Sequence, residues 1–94
     1  MIQSFKGRWV EALYNQESPG KGFPADLVRT AQRKLAMLDA AVRLENLAVP
    51  PGNRLEAMVG DRKGQHSIRI NDQWRICFTW TDAGPEEIEI VDYH

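Results

Sequence analysis

Ninety-four residues, 43% of them hydrophobic and including three Trp and three Phe, are enough for one small core and too few for a second. The only cysteine, Cys77, excludes an intramolecular disulfide framework and a cysteine-rich zinc site, so the fold has to stand on packing, as in a reducing cytosol. A net charge of −1 sets the chain apart from strongly basic nucleic-acid binders.

Met1 to Lys6, anchored by Ile2 and Phe5, reads as a first strand; it lacks the apolar block of a signal peptide. No later stretch approaches the ~18 apolar residues of a membrane span, so a soluble, cytoplasmic protein without membrane contact is expected. Trp9, Val10, Leu13 and Tyr14 recur at spacings of three and four, which predicts a short helix within Gly7 to Gln16. Ser18-Pro19-Gly20-Lys21-Gly22 is turn chemistry and predicts a loop.

Pro24 suits the first turn of a second helix, where its missing N–H costs nothing, and Asp26 suits the positive end of the dipole. Leu27, Val28, Ala31, Leu35, Leu38 and Val42 then keep helical spacing, which predicts the longest helix from Ala25 to Ala41. Arg29, Arg33 and Lys34 fall largely off that stripe, as a solvated face or as a surface for a partner protein or RNA. Arg43 to Leu47 extends this by one turn with Leu44 and Leu47 inward, and Pro50-Pro51-Gly52 is expected to end all helix.

Asn53 to Gly60 reads as a loop into a short strand, and Gly60 to Trp80 as a β-hairpin. Ile68, Ile70, Trp74, Ile76, Phe78 and Trp80 alternate with Ser67, Arg69, Arg75, Cys77 and Thr79, so one face is apolar and the other cationic. His66 falls with the isoleucines, as a core or edge histidine. Asn71-Asp72 tolerates the positive φ of a tight hairpin turn. A second turn at Asp82-Ala83-Gly84-Pro85 leads to a last strand, Glu86 to Asp92, in which Ile88, Ile90 and Asp92 share a face. The order gives a single α+β domain over residues 1–94, with two main helices on one face of a twisted, mainly antiparallel sheet.

Charge along this layout is uneven. All 12 Lys and Arg precede residue 82, alongside eight acids, for +4; residues 82–94 hold five acids, for −5. A basic body with an acidic last strand is compatible with a local phosphate-binding surface. Asp92-Tyr93-His94 follows the last apolar strand directly, and that strand is expected beside the hairpin face that carries Arg69 and Arg75. A carboxylate, a phenol, an imidazole and guanidinium groups in one place suit phosphodiester cleavage: a base takes the ribose 2′-OH proton, an acid protonates the leaving 5′-oxygen, and cations offset phosphate charge. Arg62 and Lys63, in the Gly60-Asp61-Arg62-Lys63-Gly64 loop, are either a charged lead-in to the hairpin or contacts to an RNA backbone. Two histidines without a nearby carboxylate pair argue against a protein-made metal site. Ser67 has no base and orienting acid to make it a hydrolase nucleophile.

At these residues the sequence resembles the HigB-type toxins of the RelE/ParE superfamily, and within them the GraT branch. The resemblance is carried by Gly60-Asp61-Arg62, by Gly64 to Ile76, by Val91-Asp92-Tyr93-His94, by Pro50 to Glu56 and by Lys34 to Ala41. It implies a RelE-like fold, β-α-α followed by three or four strands, and an endoribonuclease without metal or other cofactor that cuts messenger RNA in the ribosomal A site. It also implies a helix-turn-helix antitoxin of the HigA type, with the toxin monomeric alone and in a heterotetramer with a dimeric antitoxin. Carried over by residue, Asp92, Tyr93 and His94 match the family's catalytic terminus, and Arg75 matches the arginine on the scissile phosphate. His94 would transfer a proton, Tyr93 position the substrate and Asp92 orient the site. The chain departs from the family pattern at Glu56, where a second active-site histidine is usual, and at Val59, where a lysine is frequent. Either Glu56 is the base and His94 the acid, or the nuclease is slow. Two rivals share the fold: a non-enzymatic poison of the ParE kind, and a degenerate toxin retained as an antitoxin- or ribosome-binding module.

Overall fold

The structure, a computed structural model, describes residues 1–92, so the expectations for Tyr93 and His94 lie outside the described residues. Among the described residues four strands form one antiparallel sheet in sequence order: β1 (Glu56–Ala57), β2 (His66–Arg69), β3 (Trp74–Thr81) and β4 (Gly84–Asp92). Alternation holds where the sequence predicts it. Ile68, Ile76 and Ile90 pair across three strands, and with Ile70, Trp74, Phe78 and Ile88 they make the inner face. Fully burying each such side chain contributes about 1.5–3 kcal/mol, so this face holds much of the core.

The inner face is covered by α2 (Val28–Ala40), which turns Ala31, Leu35 and Leu38 onto it. A 3-10 turn, Ala25–Leu27, leads into α2 behind Pro24, and Asp26 sits in that first turn. Lys34 is not on the solvated side as expected; it occupies the inward stripe beside Leu35 and is buried. The first helix is also shorter than its pattern. α1 is only Val10–Tyr14, because Gly7, Trp9 and Gln16 adopt left-handed φ of 81°, 69° and 62° and no helix passes through them. Trp9 is held there by tertiary contacts: its ring meets Phe23 and Trp74 at centroid distances of 5.8 and 5.6 Å, and Nε1 donates to the Lys21 carbonyl at 2.9 Å. One main helix, not two, therefore covers the sheet.

Other expectations need adjusting. Met1 to Lys6 makes a single parallel bridge, Phe5 to Ile88, rather than a strand, supported by bonds from Gln3 N to Pro85 O and Lys6 N to Ile88 O, both 2.8 Å. The turn expected at Arg43 to Leu47 is present as Leu44–Ala48, but the prolines do not end all helix, since a further 3-10 turn runs over Pro51–Asn53. The hairpin turn needs no positive φ, since Asn71 Oδ1 accepts from the backbone N–H of Gln73 and Trp74 at 2.9 and 2.8 Å and closes a side-chain turn instead. In β4 a bulge at Glu87, with φ 52°, lets Pro85 and Ile88, three residues apart, both be buried despite a period of two.

Gly84, with φ 129°, lies so close to the N-terminal segment that a Cβ would overlap the Met1 carbonyl oxygen. Gly84→Ala is expected to lower stability by about 1–3 kcal/mol, read as a reduced urea midpoint at unchanged slope.

Candidate functional site

The outer face of the sheet carries the polar residues. Glu56, Ser67, Cys77 and Glu89 are successive register partners, one from each strand, and form a row across the sheet. Arg69, Arg75 and Val91 form the next row. Directly opposed residues point to the same side, so period-two alternation places Arg75 on the side away from α2.

Arg75 is the centre of this face and is only 8% exposed. Its Nε donates to Ser67 Oγ at 2.8 Å, and Nη2 donates to the Arg54 carbonyl at 2.7 Å and more weakly to the Ser67 carbonyl at 3.4 Å. Among the described residues these bonds leave the Nη1 donors unused. Glu56 Oε1 lies 3.9 Å from Nε, beyond hydrogen-bond range but close enough for attraction, with a half-exposed carboxylate. A buried guanidinium demands acceptors in fixed directions, and here strand β2 and a left-handed residue, Arg54 at φ 46°, supply them.

Around Arg75 the other cations are differently placed. Arg62, at the end of the 3-10 turn Gly60–Arg62, donates through Nη1 to Glu89 Oε1 at 3.0 Å and to Gln65 Oε1 at 3.2 Å. Lys63 follows it and is exposed. Arg69, in register with Arg75, pairs with Asp72. Burial pushes the Cys77 thiol above its ordinary 9.0; Glu89 and Glu56 reinforce the rise, while Arg62 and Arg75 oppose it.

Asp92 is not where the one-pocket expectation puts it. It is the register partner of Trp74, whose ring lies in the core, so it stands at the rim of the opposite side from Arg75. It is exposed and accepts from Gln73 Nε2 at 3.0 Å. Asp92 and Arg75 therefore share a sheet end and not a surface. His66 lies over Phe78, near-parallel at 6.3 Å, in line with its apolar neighbours. Among the described residues no three His, Cys, Asp or Glu side chains gather as a metal-binding group. No helix there is long and apolar enough to cross a membrane. A cavity lies elsewhere, lined by Leu13, Tyr14, Gln16, Gln32, Ala36 and Asp39. There a hydrogen bond to Asp39 raises the Tyr14 phenol above its ordinary 10.0. A surface that meets a polyanion through guanidinium groups needs no enclosed cavity.

Comparison with known families supplies what the geometry alone leaves open. Residues 3–94 match the family described as the RelE-like toxin of the type II toxin-antitoxin system HigB. The chain belongs to the HigB family of RelE-like toxins. A Vibrio cholerae relative, Toxin HigB-1, is 40% identical over 83 residues, covering 88% of this chain and 87% of its own. A Proteus vulgaris relative, Endoribonuclease HigB, is 31% identical over 98 residues and covers both chains fully. An uncharacterized Haemophilus influenzae protein is 27% identical over 78 residues, 83% of this chain and 77% of its own. As a toxin of a type II system, this HigB-family chain has an antitoxin as its partner.

Within the HigB-family chain, Arg75, Arg62 and Glu56 come together on the outer face, with Arg69 in register beside Arg75 and Lys63 exposed after Arg62. Sequence reasoning set Ser67 aside as a nucleophile and missed it as an acceptor for Arg75. The signal was present, since alternation gives Ser67 and Arg75 the same face. Arg54, which acts through its carbonyl, left no signal.

Because folding holds the Cys77 proton more tightly, the unfolded chain is the one that loses it as pH rises through about 9, and stability falls there. The stability difference between wild type and Cys77→Ala should be flat below about pH 8 and should shift against wild type at higher pH, as read by urea titration. Native Cys77 should also resist alkylation at pH 8 until the protein is unfolded.

Proposed function

We propose that this toxin is an endoribonuclease that cuts messenger RNA in the ribosomal A site, without a metal, through the outer face of its sheet and the segment that follows β4. The reading is supported by its family and by the full-length match to a protein named Endoribonuclease HigB. The observation that carries it is Arg75: a guanidinium locked by Ser67 and Arg54, with its Nη1 donors left over among the described residues and the Glu56 carboxylate at its edge.

The chemistry follows from these groups. Nη1 takes a non-bridging oxygen of the scissile phosphate, and a rigid donor in place before reaction stabilises the charge that builds in the transition state. Glu56, half exposed beside it, takes the 2′-OH proton, and His94 gives a proton to the leaving 5′-oxygen. Tyr93 positions the substrate. Asp92 orients this terminal segment from the Trp74 side and does not touch the phosphate. Arg62, Lys63 and Arg69 provide phosphate contacts along the RNA, and their effect weakens with salt. The antitoxin is of the helix-turn-helix HigA type, and a dimer of it holds two toxin chains in a heterotetramer; alone, the toxin is a monomer.

Primer extension across a defined message on programmed ribosomes tests the assignment. Arg75→Ala is expected to slow cleavage about 10²–10³-fold, and Glu56→Gln and His94→Ala about 10²–10⁴-fold each. Antitoxin binding should be retained by His94→Ala in size-exclusion chromatography. Unchanged cleavage by His94→Ala removes it as the acid. Growth arrest with no RNA cut by wild type would replace the nuclease with a binding poison.

A further inference from the structure

Four polar or charged side chains are buried among the described residues: Lys34, Asn53, Ser67 and Arg75. They form one chain. Lys34 Nζ donates to Asn53 Oδ1, the carbonyl of the next residue, Arg54, accepts from Arg75 Nη2, and Arg75 Nε donates to Ser67 Oγ. The line runs from α2 through the 3-10 turn Pro51–Asn53 to the outer face of the sheet.

Lys34 is the unexpected member. Burial pushes its ammonium below the ordinary 10.5, and Arg33 and Arg69 push the same way. A methionine would fill the same position on the apolar stripe without that cost, so packing alone does not account for an ammonium here. Its acceptor, Asn53, is fully buried and joins three segments. Besides accepting from Lys34, it donates through Nδ2 to the carbonyls of Leu47 at 3.1 Å and Val49 at 3.5 Å, and it touches Met37 Sδ at 3.6 Å. Its backbone N–H closes the turn onto the Pro50 carbonyl at 3.0 Å. Arg54 comes next, left-handed at φ 46°, a conformation that is unfavourable for a non-glycine residue and persists only where neighbours hold it.

We propose that Lys34 and Asn53 are positioning residues for Arg75: their contact fixes the Pro51–Asn53 turn so that the Arg54 carbonyl aims the guanidinium at the RNA phosphate. The inference rests on the phosphate-binding role given to Arg75 above. Neither residue touches RNA. Ser67 holds one edge of the guanidinium from the sheet, and the Lys34–Asn53 pair holds the other from the helix layer, so the angle of Nη1 is set by both layers. Small errors in such an angle are costly, since misplacing a catalytic group by about 1 Å lowers rates about 10²-fold.

Single-turnover cleavage on programmed ribosomes is compared for wild type, Lys34→Met, Asn53→Ala, Arg75→Ala and the two double variants that contain Arg75→Ala, at a temperature where circular dichroism reports each folded. Lys34→Met and Asn53→Ala should each slow cleavage about 10- to 100-fold and should add little to the loss caused by Arg75→Ala. Undiminished losses in the Arg75→Ala background overturn the proposal. Wild-type cleavage by Arg75→Ala instead overturns the phosphate-binding reading, and a separate readout then decides the positioning. That readout is the Arg75 Nε–H resonance of the RNA-free toxin, whose solvent exchange should quicken about tenfold or more in Lys34→Met. Unchanged exchange in both single variants overturns the proposal whatever the cleavage rates. Lys34→Met keeps its stripe position apolar and carries the test if Asn53→Ala does not fold.

Discussion

The buried guanidinium of Arg75 is the constraint on which this structure turns. A charge that cannot be neutralised must find acceptors when it leaves water, and it finds them in Ser67 on β2 and in the carbonyl of Arg54 on a 3-10 turn. Those partners fix the β2–β3 register and hold a strained loop residue against the sheet. The apolar layer beneath would tolerate exchange of one hydrocarbon for another. The polar layer above it would not, because each donor has a direction.

Two faces with different tasks follow from one strand pattern. β3 sends Trp74, Ile76 and Phe78 to the helix layer and Arg75 and Cys77 to the other side. The bulge at Glu87 corrects the phase of β4 so that Ile88 and Ile90 join the first set and Glu89 the second. Glu89 then draws Arg62 to the sheet, while Glu56 stands at the edge of Arg75. A net charge of −1 is spread unevenly, and on the outer face Arg62, Arg69 and Arg75 stand beside Glu89, Asp72 and Glu56, so the local field differs from what the total suggests.

Much of the fold was legible in the sequence because it is written in short periods. The hairpin faces, the long helix behind Pro24 and the inward Leu47 all follow from spacing within one element. What failed did so for non-local reasons. Trp9 belongs to a helical pattern, but its indole is claimed by Phe23, Trp74 and the Lys21 carbonyl, and the backbone turns left-handed to allow it. Met1 to Lys6 has strand-like residues yet finds only one partner position beside β4.

The site divides the same way. Alternation by itself determined that Arg69, Arg75 and Ser67 share a face and that Asp92 goes with Ile88 and Ile90, since side-chain direction in a strand is a property of the strand alone. Only the tertiary structure decided that Asp92 therefore stands across the sheet from Arg75, that Lys34 turns inward, and that Asn53 and the Arg54 carbonyl stand behind the guanidinium. The last two depend on contacts between residues 19 and 21 positions apart in the chain, and a buried polar group is told from an exposed one by what packs over it.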